Sequence, residues 1–112
     1  MITIKAALDG EGLLRSCQVS GHAGAGKRGE DIVCAAVSVL TRTALRTLSK
    51  KTGVIVRGEA PQRGLFRMET DYSGEGREFL AAAGVFLLEG LSSVAEEFPE
   101  FCTMTIDTER RN

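Results

Sequence analysis

Residues 21–53, GHAGAGKRGEDIVCAAVSVLTRTALRTLSKKTG, decide the fold, because the chain changes character within them. The first ten, Gly21 to Glu30, hold four glycines and no hydrophobic period, which predicts a mobile loop. Asp31 reads as an N-cap, and the segment after it runs without Gly or Pro to Gly53, a helix stop. Within it Val33, Val37, Leu40, Ala44 and Leu48 recur at helical spacing on one face, with Arg42, Arg46 and Lys50 elsewhere. A helix entered from a glycine loop is therefore expected.

Upstream, Ile2, Ile4, Ala6 and Leu8 alternate with Thr3, Lys5 and Ala7, predicting a strand over 2–8. Asp9-Gly10-Glu11-Gly12 is a turn, and 13–20 a second strand closing a hairpin. Downstream, 54–57 and 65–71 read as another strand pair, around a turn region with Gly58, Pro61 and Gly64. A second helix is predicted from near Ser73 to Glu97, ended by Pro99. Phe79, Leu80, Ala83, Phe86, Leu87, Leu91 and Val94 make it apolar on more of its circumference than one sheet face covers, so a homodimer contact is expected. Cys102, Met104 and Ile106 alternate with Thr103, Thr105 and Asp107 in a last strand. The order ββαββαβ implies an α+β fold, a single domain over 1–112 with two helices on a mostly antiparallel sheet.

Fourteen basic and fifteen acidic residues leave a formal charge of -1 and no basic stripe, which argues against direct nucleic-acid binding. The longest apolar run, Phe79 to Leu88, is half the ~20 residues of a membrane span, and the alternating N-terminus is unlike a signal peptide; a soluble protein is expected. Cys17, Cys34 and Cys102 form no CxxC pair, and their odd number suits a reducing, cytoplasmic compartment. With His22 the sole histidine, a metal site is not expected.

The residues able to carry chemistry are His22 and Cys34. With Asp31 as N-cap, Cys34 takes the third helical position, where unpaired N–H groups and the helix dipole favour a thiolate and donate to an oxyanion. His22, at the end of a strand, reaches it as general base and acid if the loop glycines, Gly21, Gly24, Gly26 and Gly29, let the chain fold back. Asp31 either orients the imidazole or only caps the helix, and the spacing favours the cap. Ser38, one turn beyond Cys34, and Thr41 make this stripe polar enough to line a cleft, although Ser38 is equally suited to packing or to bonding back to its own helix.

Weighed alone, a cysteine among alanines and valines is usually an inert core residue, the assignment given to Cys17 and Cys102. Position and partner set Cys34 apart. The stretch Gly21 to Lys27 also fits the first seven positions of GxxxxGK[ST], but Arg28 replaces the magnesium-binding hydroxyl, and a helix starting at Asp31 begins too late to meet phosphates. Nucleotide hydrolysis is not expected.

The stretch GHAGAGKRGEDIVCAAVS resembles the ribosomal-processing cysteine protease family, whose pattern is GHA, a Gly-containing loop, then G-x-D-I-V-C-A-A-x-S. Gly29, Asp31, Cys34 and Ser38 are all in place, and GLSSVAEEFPEF at the end of the second helix is also similar. The resemblance implies a homodimeric peptidase, with Cys34 and His22 at its centre and no cofactor, that removes a short N-terminal extension from a large-subunit ribosomal protein. It implies a flexible tail lying in an apolar cleft beside Cys34, walled by Val37, Thr41 and the loop, and His22 and Cys34 side chains apart until peptide binds. A non-catalytic module that binds the same tail is the alternative. A redox sensor ranks third, since it has no use for His22 and no resolving cysteine stands nearby in sequence.

Overall fold

The computed structural model describes residues 1–21, 28–62 and 64–109, with 28–30 and 62 described for their backbone. Its elements are β1 (Ile2–Leu8), β2 (Leu14–Ser20), α1 (Arg28–Ser49), β3 (Val54–Gln62), β4 (Leu65–Tyr72), α2 (Gly76–Glu97) and β5 (Cys102–Thr108), the expected ββαββαβ. The strands form one sheet in the order β3-β4-β2-β1-β5, antiparallel except where β5 runs parallel to β1.

Strand alternation gives the sheet one apolar face. Ile2, Ile4 and Ala6, Cys17 and Val19, and Phe66 and Met68 are buried, while Lys5, Gln18, Arg67 and Glu69 between them are exposed. Both helices cover that face: Val33, Val37 and Leu48 of α1 and Leu80, Leu87, Leu91 and Val94 of α2 join the same core. Each fully buried Leu contributes about 1.5–3 kcal/mol relative to exposure. Each helix is long and apolar enough by composition to cross a membrane, but here each lies along the sheet. Small residues seat α2: a Cβ at Gly84 would stand 3.1 Å from Leu14 Cβ, and one at Gly90 3.1 Å from the Leu40 side chain of α1.

The turn between β1 and β2 is closed by buried Asp9, whose Oδ1 accepts the N–H groups of Glu11 at 2.8 Å and Leu13 at 3.0 Å. Three expected boundaries move. β3 continues past Gly58 to Gln62, since pairing with β4 survives Pro61 through a register shift between Glu59 and Gln62; Pro61 sits on an edge strand, where a missing N–H is tolerated. α2 starts at Gly76, because Ser73 and Gly74 form the turn that precedes it. α1 starts at Arg28, three residues before Asp31, so Asp31 is inside the helix and does not cap it. Glu30 and Asp31 then fall in the first turn, where acidic residues suit the helix dipole.

Candidate active site

A cleft of about 430 Å³ opens between α1 and the end of the β3–β4 hairpin. Cys34, Val37, Ser38, Thr41 and Arg42 of α1 form one wall, and Ala60, Gly64, Leu65 and Phe66 the other, with Ile2, Val19 and Gly21 completing it at the strand ends. Its width is set by packing: the Leu45 side chain occupies the space a Cβ at Gly58 would need, so α1 seats directly on β3. Gly21, with φ of 104°, turns the chain out of β2, and any Cβ there would collide with the Met1 carbonyl.

Cys34 is a free, half-buried thiol in this wall, whereas Cys17 and Cys102 are free but buried in the core, as expected of them. Burial pushes the Cys17 thiol up to about 11 and raises Cys102 as well, so both stay protonated and unreactive near neutrality. Ser38 is half-buried beside Cys34, and its hydroxyl has no partner among the described residues. The bonding back to the helix falls to Thr41 instead, which donates to the Val37 carbonyl at 2.9 Å. Asp31 is exposed on α1 and does not line the cleft.

His22, Gly24 and Gly26 lie outside the described residues, as do positions 22–27 of the predicted mobile loop and the separation of His22 from Cys34; positions 28–30 of that loop are helical instead. Gly29 falls in the first turn of α1. The earlier helix start corrects two arguments. Cys34 is the seventh residue of α1, not the third, and its N–H belongs to the helical ladder, so unpaired donors and the dipole of the helix end do not act on its sulfur. And a helix beginning at Arg28 directly follows Lys27, so the late-start objection to a phosphate loop fails. The missing hydroxyl at Arg28 still opposes that reading, and so does β2, which is antiparallel to both neighbours rather than part of a parallel sheet. Among the described residues no group of His, Cys, Asp and Glu could hold a metal ion.

The opposite wall was not identifiable from sequence. Gly64 and Pro61 mark a turn, but no local pattern shows that this turn faces α1 across a cleft. Arg42, placed by its spacing off the apolar face of α1, is exposed and borders the cleft.

The α+β fold with a half-buried free cysteine in an apolar-walled cleft defines a candidate thiol peptidase. The chain belongs to the cysteine protease Prp family, whose sequence model matches residues 1–103. It is therefore a cysteine protease. It is similar over 97% of its length, and 96% of the other chain, to SMU.848 from Streptococcus mutans, at 31% identity and a TM-score of 0.80. It shares its fold with the essential ribosomal processing protease Prp from S. aureus in complex with a substrate peptide, at 23% identity, 95% and 99% coverage and a TM-score of 0.79. The same S. aureus protease with a covalently linked product peptide gives a TM-score of 0.77 at 23% identity over 95% and 99% of the two chains. No curated protein matches the chain.

Proposed function

We propose that this protein removes a short N-terminal extension from a large-subunit ribosomal protein, with Cys34 as nucleophile and His22 as its base and acid. The observation that carries the reading is the placement of Cys34: of three free cysteines it alone is half-buried and lines a cleft, of about 430 Å³. The fold shared with a ribosomal processing protease bound to peptide supports the substrate class.

The Cys34 sulfur attacks the scissile carbonyl, the C–N bond breaks as His22 protonates the leaving amine, and water hydrolyses the thioester, restoring the thiol and releasing the carboxylate. Because the dipole of α1 does not act on Cys34, the imidazole carries its activation. Ser38 supports the site from the same wall of the cleft, with a hydroxyl that has no partner among the described residues. Asp31, outside the cleft, supports it only through the segment that bears His22.

The protein works as a homodimer in the cytoplasm. Supporting the dimer is an apolar groove of about 580 Å³ between α1 and α2, lined by Val39, Leu40, Phe79, Ala83 and Phe86, with Phe86 77% and Val39 65% exposed. Supporting the compartment are three free cysteines.

The test is incubation of the purified protein, and of Cys34→Ala and His22→Ala, with the host's extended ribosomal protein. Shortening by the wild type alone supports the protease. Intact substrate bound equally by all three would instead establish a tail-binding module.

A further inference from the structure

Among the described residues that line the Cys34 cleft, Arg42 alone carries a charge. Its guanidinium has no hydrogen bond or ion pair in the described structure, unlike Arg15, Arg67 and Arg77, each paired with a carboxylate. The rest of the lining is apolar or small, or, in Thr41, has its hydroxyl turned back onto the helix. The described lining thus offers a peptide shape along most of the cleft and one charge, on the exposed and unpaired Arg42.

Cys34, Ser38 and Arg42 are spaced four residues apart on one stripe of α1. Arg42 therefore stands about 12 Å along the helix axis from Cys34, at ~1.5 Å per residue. An extended peptide advances about 3.3 Å per residue, so this distance spans three to four of its residues. Arg is well matched to a carboxylate, which it grips with two parallel N–H donors.

We infer that Arg42 is a specificity-determining residue that selects a substrate with an acidic side chain three or four positions from the scissile bond, on the side of the cleft toward the C-terminal half of α1. The inference rests on the reading of Cys34 as the nucleophile for its register, and on the charge of the lining for its chemistry.

The test uses quenched decapeptides with a central pair of phenylalanines in a Ser/Gln background, with Asp or Asn walked through every other position. Wild type should show a kcat/KM roughly three- to tenfold higher for Asp than for Asn at a position three or four residues from the cut. That advantage should be blunted by added salt, vanish in Arg42→Gln, and pass to Lys at the same position in Arg42→Glu. An Asp advantage that persists in Arg42→Gln, or none in the wild type, overturns the inference and leaves the protease reading intact. If the wild type cuts no peptide, or Cys34→Ala cuts as well, the protease reading fails separately. The same peptides are then compared by fluorescence anisotropy on Cys34→Ala and Cys34→Ala/Arg42→Gln. Equal affinity for Asp and Asn peptides there overturns the role of Arg42, and a preference lost with Arg42 sustains it.

Discussion

Three cysteines of the same chain have different chemistry because their surroundings differ. Cys17 is sealed under the helices and Cys34 opens onto a cleft. For Cys17, the raised folded-state value of about 11 against an ordinary value of 9.0 has a consequence for stability. Below pH 9 both folded and unfolded thiols are protonated and the contribution is intact; between about 9 and 11 only the unfolded thiol ionises, so stability falls as pH rises. Urea unfolding under reducing conditions should show wild type losing roughly 1 kcal/mol more than Cys17→Ala between pH 8 and 10. An equal loss in both proteins would mean that Cys17 is not desolvated. Cys34→Ala, at a half-buried position, should leave the melting temperature within about 2 °C while lowering cleavage by at least ~10³-fold. Cys34 stood out in the sequence through an expected helix-start position, which the structure corrects, through His22 as a possible partner, and through the family pattern around it. Arg42 did not, since an arginine on a helix reads as solvated surface until the opposite wall is known.

At the scale of elements, the junction of β3 with α2 is a close approach of two backbones. Gly53, with φ of 88°, places its carbonyl where a Cβ on Gly76 would have to sit, and accepts the Ser73 N–H at 2.9 Å. Gly76→Ala should therefore cost roughly 2–4 kcal/mol by forcing α2 off this junction. Gly74→Ala, with φ of 50° and open space for a Cβ, should cost only about 1 kcal/mol. Matched denaturant titrations separate the two, and equal costs would remove the steric account. Strand alternation and helical period made the elements themselves legible. Their ends were less so: Arg28, Gly29 and Glu30 carry no apolar period, yet they are helical because the first turn needs no buried face. That shift of three residues moved Cys34 from the helix end into its second turn, and in the proposed mechanism it leaves activation to His22.

For the whole molecule, the fold leaves apolar surface uncovered on the outer side of the two helices, around Phe86 and Val39. Phe86→Glu should shift the protein from dimer to monomer in sedimentation velocity, while leaving the melt of the individual subunit cooperative. A wild type that sediments as a monomer at all concentrations would contradict the dimer. Excess apolar residues on the second helix were visible in the sequence, because its period covers more than one face. The cleft was not, because it arises only when the β3–β4 hairpin, distant in sequence, is brought against α1 by the sheet order.

The central claim is that peptide cleavage passes through Cys34, and acid-quenched mass spectrometry of wild-type protein during turnover of the extended ribosomal protein tests it most directly. The account predicts an adduct with the mass of the released extension less one water on the Cys34 peptide, none on Cys17 or Cys102, and a lost signal in Cys34→Ala. Cleavage that proceeds with no adduct and persists in Cys34→Ala would contradict it.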